Sequence, residues 1–123
     1  MIETGKSFTQ SQKVKQNDTA RVYGSGNLEV FATPAMVAFM ENTAVRCIEG
    51  MLEAGSDTVG IEMNVKHIKA TAVGKEVSCK AELTELDGRR IHFKIEAWDE
   101  DGKIGVAEHD RFIIDPVKFM SKL

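Results

Sequence analysis

Long apolar runs are missing from this sequence: no stretch approaches the roughly 18 residues a helix needs to cross a bilayer. The opening residues MIETGKSFTQ lack a basic start followed by an apolar core, so they do not read as a secretory signal. Basic blocks are missing too. With 16 Lys and Arg against 19 Asp and Glu, the net charge is −3, which offers no general attraction to nucleic acid or anionic membranes. Cysteine is scarce. Cys47 and Cys79 lie in apolar patterns, one helical and one strand-like, without metal-type spacing. They read as reduced core residues of a cytoplasmic protein rather than as a disulfide. There is no low-complexity tract and no internal repeat, and 123 residues suit one domain (1–123) with a single core. The closing Ser121-Lys122-Leu123 matches a peroxisomal address, but three residues match readily by chance, and a cytoplasmic location is expected.

What the chain does contain is periodic. Residues 6–17 make a polar, edge-like strand, and YGSGN (23–27) is a loop built from two glycines and an asparagine. Thr33 then reads as a helix N-cap and Pro34 as the first helical residue, since proline has no N–H to leave unpaired there. The helix is predicted from 34 to about 53, ending at Gly55. Four alternating segments follow. Val59, Ile61, Met63, Val65 and His67 share one face of the first; Val77, Cys79, Ala81 and Leu83 of the second; Ile91, Phe93, Ile95 and Ala97 of the third. The fourth, KIGVAEHDRFIID, is less regular, and Asp87-Gly88 and Asp101-Gly102 supply hairpin turns between the last three. One long helix against one antiparallel sheet is an α+β layer arrangement, and the hotdog fold, a central helix wrapped by such a sheet, is one of its solutions. The small-residue side of the helix, with Thr43 and Gly50, offers itself for a dimer contact.

Projected at 100° per residue, the helix has a wet side of Asn42, Arg46, Glu49 and Glu53, whereas Glu41 falls inside the apolar arc, between Ile48 and Leu52. An ionised carboxylate left alone in apolar surroundings costs on the order of several kcal/mol, so Glu41 is expected to have a partner or a task. It is either a catalytic acid–base group or a glutamate satisfied by buried hydrogen bonds. His67 continues an inward-facing row, so an acid and an imidazole are expected within the same small sandwich, a pairing suited to proton transfer near neutral pH. Thr33 adds a hydroxyl where helix N–H groups are free.

The remaining candidates are weaker. His92 falls on the polar face of its strand and reads as solvated. In EHDR, His109 and Arg111 share one face, with Glu108 and Asp110 on the other; Arg111 either holds an anion or pairs with strand neighbours. Three scattered histidines with two cysteines make no metal site, the GSG loop lacks a phosphate-binding pattern, and Cys47 has no activating base.

EVFATPAMVAFMENTA, NVKHIKATAVG and AEHDRFII together closely resemble the fluoroacetyl-CoA thioesterase branch of the hotdog superfamily, over residues 20 to 119. In that family a threonine at the helix start, a glutamate and a histidine form the catalytic set, and Thr33, Glu41 and His67 stand at the family's intervals. The resemblance also implies a homodimer with active sites at the subunit interface, dimers of dimers being a further option, and a coenzyme A thioester as substrate. Gly60 matches a glycine whose backbone contacts substrate, and Arg111 matches an arginine associated with substrate binding. Two positions depart. Asn27 stands where the fluoroacetyl-specific enzyme has a gating phenylalanine, so that acyl preference is not implied here, and Pro34 replaces a glycine beside the threonine.

The expected activity is therefore hydrolysis of a small or medium acyl-CoA. Glu41 would activate water or attack the carbonyl, His67 would serve as acid–base partner, Thr33 would orient by hydrogen bonding, and the Gly60 N–H would meet the oxyanion. No cofactor is expected beyond coenzyme A as part of the substrate, and neither nucleic acid nor membrane is an expected partner. The alternatives are a hotdog hydratase acting on an enoyl thioester, a non-catalytic acyl-CoA-binding module, and a structural dimer in which Glu41 and His67 satisfy each other.

Overall fold

Alternation decides the sheet. In a computed structural model, which describes residues 2–123, the predicted inward residues Val77, Cys79, Ala81, Leu83, Ile91, Phe93, Ile95 and Ala97 are all buried, packed with Met36, Met40 and Ala44 of the long helix. A large aliphatic or aromatic side chain buried this way contributes about 1.5–3 kcal/mol. The element order is β1 (Ser7–Lys13), a 3-10 turn at Gln16–Asp18, the single turn α1 (Ala20–Tyr23), α2 (Thr33–Cys47), β2 (Asp57–His67), β3 (Glu76–Asp87), β4 (Arg90–Asp99), β5 (Gly102–Ile114) and α3 (Pro116–Ser121). The five strands pair antiparallel in the order β1-β3-β4-β5-β2. This is the α+β hotdog arrangement, with α2 wrapped by the sheet. Among the described residues no helix is long and apolar enough to cross a membrane. Both cysteines are free and buried. Burial raises both thiol pKa values, that of Cys79 to about 11 against an opposing hydrogen bond from Thr43, which leaves neither an activated nucleophile.

The helix departs from expectation at both ends. Its N-cap is Ala32, extended at φ −71° and ψ 143°, with Thr33 and Pro34 opening the helix. The Ala32 N–H is tied to the Asp18 carbonyl, which sets the helix start one residue early. Thr33 therefore does not cap, and its hydroxyl is free for other work. At the far end α2 stops at Cys47 rather than 53, and the chain turns through Gly50 at φ +79°, a left-handed conformation that glycine adopts without a Cβ clash.

The buried face of α2 is narrower than the apolar arc. Ala35, Met36, Phe39, Met40, Thr43, Ala44 and Cys47 are covered, whereas Ala38 and Val45 are exposed. Thr43 is not a dimer face: its hydroxyl donates to the Phe39 carbonyl at 2.7 Å and accepts from Gln10 of β1 at 2.8 Å, so β1 covers that side of the helix.

One irregularity in β2 matters most for the site. Gly60 pairs with Arg111 and Glu62 with Asp110, so the ladder skips Ile61 as a β-bulge. Before the bulge, Thr58 and Gly60 face α2; after it, Met63, Val65 and His67 do. The predicted inward row of Val59 and Ile61 is thus corrected, and Ile61 is 53% exposed. In an unbulged strand Gly60 and His67, an odd number of residues apart, would lie on opposite faces.

Candidate active site

Strand β5 turns Ala107, His109 and Arg111 toward α2 and Glu108 and Asp110 to the outer face, as the alternation predicts. Arg111 is buried. Its Nε donates to Thr58 Oγ1 at 2.9 Å, its Nη2 to the Thr58 carbonyl at 3.2 Å, and its Nη1 to Glu41 Oε2 at 3.3 Å. Burial lowers the guanidinium's pKa and the Glu41 carboxylate opposes that, so it stays charged at neutral pH. His109, also buried, donates Nδ1–H to the Glu62 carbonyl at 2.7 Å, and its Nε2 lies 3.2 Å from Arg111 Nη1. Burial pushes this ring toward its neutral form; the Glu62 carbonyl opposes, and the Arg111 charge reinforces it.

Glu41 is not sequestered in the core as its helical position suggested. Its side chain is 41% exposed, at the rim where α2 approaches β2. Its neighbours in the projection, Ile48 and Leu52, are buried and half-buried, but Ala38 and Val45 at the margin of the arc are exposed, because β2 is the sheet edge and no further strand lies beyond it among the described residues. Gly60 lies against the carboxylate: a Cβ there would stand 2.6 Å from Glu41 Oε2 and 3.2 Å from His109 Cε1. Glycine is what lets the strand pass so close.

A second group forms at the other end of β2. Thr33 Oγ1 and His67 Nδ1 are 2.8 Å apart, and the Phe31 ring meets the imidazole edge-on at 6.4 Å between centroids. His67 Nε2 is buried without a hydrogen-bond partner among the described residues. Burial lowers the His67 pKa, the Lys69 backbone opposing, so the neutral imidazole predominates near pH 7. The ring and the Thr33 hydroxyl line a cavity of about 300 Å³ walled by Ala20, Val30, Phe31, Ile68 and Ala70. Ser25, from the loop that carries exposed Asn27, reaches the same cavity. A larger hollow of about 620 Å³ lies among Ile2, Met51, Leu52 and Ile113; neither a histidine nor Glu41 lines it, so size does not choose the site.

No hydrogen bond or ion pair joins Glu41 to His67 within the chain. Eight residues of helix separate Thr33 from Glu41, about 12 Å along the axis. The chain therefore presents two separate groups on the same face of β2, one acidic and one imidazole-based.

His92 is not solvated. Its Nδ1 bonds Asp110 and its Nε2 bonds Glu108 at 2.8 Å, on the outer face of the sheet. Burial opposes protonation there, but the two carboxylate hydrogen bonds outweigh it and raise the His92 pKa. This cluster lies across the sheet from both groups.

A family model described as fluoroacetyl-CoA-specific thioesterase matches residues 14–117. The chain belongs to this family. It is 39% identical to the fluoroacetyl-CoA thioesterase of Streptantibioticus cattleyicolor over 95 residues, 77% of this chain and 68% of that protein. A phenylalanine-to-alanine variant of the fluoroacetyl-CoA-specific thioesterase FlK superposes with a TM-score of 0.92 at 34% identity, covering 99% of this chain and 95% of that one. A hypothetical protein of Thermus thermophilus, a thioesterase superfamily member, follows at TM-score 0.90 and 27% identity, covering 98% and 90% of the respective chains. Within this family frame, Thr33 and His67 are brought together, Glu41, Gly60 and Arg111 are brought together, and Asn27 lies on the exposed loop beside the first group. Thr58, which pins Arg111, and His109, which touches it, carried no sequence-level role. The signal for His109 was its i, i+2 spacing from Arg111 on an inward strand face. Thr58 had none, because the bulge reversed its face.

Proposed function

We propose that this protein is an acyl-CoA thioesterase, hydrolysing a small or medium acyl-CoA to the free acid and coenzyme A, with Thr33, Glu41 and His67 as its catalytic residues. The observation that carries this reading is the pair of half-sites on one face of β2: a Thr33–His67 pair with an unpartnered ring nitrogen, and a Glu41 carboxylate against a glycine. Family membership supports the reaction class. The FlK variant has also been solved in complex with fluoroacetate and CoA.

The half-sites complete each other in a homodimer. β2 is an open edge of 11 residues bearing the exposed Ile61, and an unpaired edge of that length invites another strand. Antiparallel pairing of two β2 edges about a two-fold axis near Asn64 sets Gly60 of one protomer opposite the partner subunit's His67, with both helices on the same side of the joined sheet. Glu41 then faces the partner subunit's Thr33–His67 pair, and each dimer has two such sites.

At each site the chemistry is addition followed by elimination. Water gives a proton to Glu41 as its oxygen bonds the thioester carbon, or the carboxylate oxygen itself adds to that carbon to give an anhydride that water then opens. The carbonyl electrons move onto oxygen, met by the Gly60 backbone N–H, which a side chain at this position would crowd. The C–S bond breaks, the electron pair leaves on sulfur, and the imidazole relays the proton that ends on coenzyme A. A thiolate leaves readily, so the reaction asks for no metal or redox group. Arg111, with its donors directed at Thr58, Glu41 and His109, holds the carboxylate in place.

Release of free thiol across a panel of acyl-CoAs tests this reading. Prompt coenzyme A release with a preference among acyl groups is expected. Water addition to an enoyl-CoA without thiol release, or tight binding without turnover, would replace it with a hydratase or a binding module. In the same panel Asn27→Phe is expected to change the ranking of acyl groups without lowering the melting temperature, because residue 27 is on the exposed loop that borders the cavity. Gly60→Ala should reduce kcat about tenfold, since the added methyl must displace the carboxylate terminus and small misplacements of a reacting group are costly. Steady-state kinetics and a thermal melt separate that effect from unfolding.

A further inference from the structure

We infer that His109 is a positioning residue that limits Glu41 to a one-point ion pair with Arg111, leaving the second carboxylate oxygen free for the reaction. The inference rests on the proposed role of Glu41 and extends it to a residue that does not touch the reacting atoms.

An arginine beside a carboxylate usually forms a two-point fork, two N–H groups on two oxygens. Here the fork is pre-empted. Nε and Nη2 are turned onto the Thr58 hydroxyl and carbonyl, and both belong to the bulged strand. Nη1 has two protons to give. One goes to Glu41 Oε2, at 3.3 Å; the other faces His109 Nε2, at 3.2 Å. The ring can accept because of its other nitrogen. A carbonyl oxygen only accepts, so the bond to the Glu62 carbonyl fixes the proton on Nδ1 and leaves a lone pair on Nε2. His109 Nε2 itself stands 3.8 Å from Glu41 Oε2, beyond hydrogen-bond range. The result is a carboxylate held at Oε2, with Oε1 making no hydrogen bond among the described residues. That oxygen lies on the open side, where the partner subunit's Thr33–His67 pair is expected. The bulge serves twice: it turns Gly60 inward, and it presents the Glu62 carbonyl that sets the tautomer. Phe93, stacked on the His109 ring with 6.2 Å between centroids, keeps the imidazole in plane.

Removing the acceptor releases the second Nη1 proton and unpins that end of the guanidinium, so the carboxylate can shift from its one-point contact at Oε2. The test compares His109→Leu with His109→Gln, whose amide oxygen can replace Nε2 as an acceptor. A residue that only fills the core would tolerate leucine better than glutamine. A positioning role predicts the reverse. His109→Leu should lose about tenfold or more in kcat with KM within about twofold, and His109→Gln should stay within about threefold of wild type. Equal losses in both variants, full activity in the leucine variant, or an effect confined to KM would overturn the inference. If the leucine variant does not fold, the glutamine variant decides alone, a tenfold loss counting against. Combining His109→Leu with Glu41→Gln should add no further loss. A Glu41→Gln enzyme that hydrolyses like wild type would overturn the catalytic role of Glu41 itself, whereas an inactive Glu41→Gln beside an unaffected His109→Leu removes the positioning role alone.

Discussion

Glu41→Gln is expected to lower kcat at least about a hundredfold, the scale of losing a positioned acid–base group, while the protein stays folded. The side chain is 41% exposed at the rim of α2, so the substitution opens no cavity. Glutamine also keeps a carbonyl oxygen able to accept from Arg111 Nη1, and the guanidinium retains its bonds to Thr58 and His109. The amide is isosteric but cannot take a proton from water or act as an effective nucleophile at carbon. Kinetics at saturating acyl-CoA, with circular dichroism and a thermal melt as controls, check this directly. Hydrolysis at the wild-type rate would remove Glu41 from the chemistry.

A mixed dimer with one Glu41→Gln subunit and one His67→Ala subunit should recover about half of wild-type activity, although each variant alone is nearly inactive. The proposed two-fold dimer requires it. If each site takes its carboxylate from one chain and its imidazole from the other, both lesions collect in one site and the second site is intact. If each site were built within one chain, every site would carry one lesion and the mixed dimer would be inactive. Co-expression with two affinity tags, purification through both, and a thiol-release assay distinguish the cases. A failure to isolate any dimer would equally remove the composite site. The prediction is unusually sharp because the separation of about 12 Å along α2 leaves Glu41 no direct contact with His67 of its own chain.

Much of this was open to reading in the chain itself. The alternation of β3 and β4 named their buried residues correctly, because both strands are central in the sheet and each covers α2 with one face. Family membership was legible in three short stretches around Thr33, His67 and Arg111, since each packs functional groups among fixed apolar neighbours. The helix misled in two ways. A helical projection measures which residues are apolar, not which are covered, and α2 is covered most where β3 and β1 lie over it. Glu41 therefore looked buried when it stands on an open flank. Thr33 likewise had every local attribute of a cap, yet a backbone bond between Ala32 and Asp18 moved the helix start by one residue.

By itself the sequence determined the layer class, the central strands, the hairpins at Asp87-Gly88 and near Gly102, and the residue types available for proton transfer. These depend on period, turn chemistry and composition, which are local. Only the tertiary structure decided which face of β2 each functional residue occupies, because a single bulged residue inverts the side-chain phase and leaves no mark in the alternation. It also decided that Glu41 pairs with Arg111 and that the carboxylate and imidazole groups stand apart within one chain. Those outcomes turn on where an edge strand ends up beside a helix, a long-range matter that no local pattern contains.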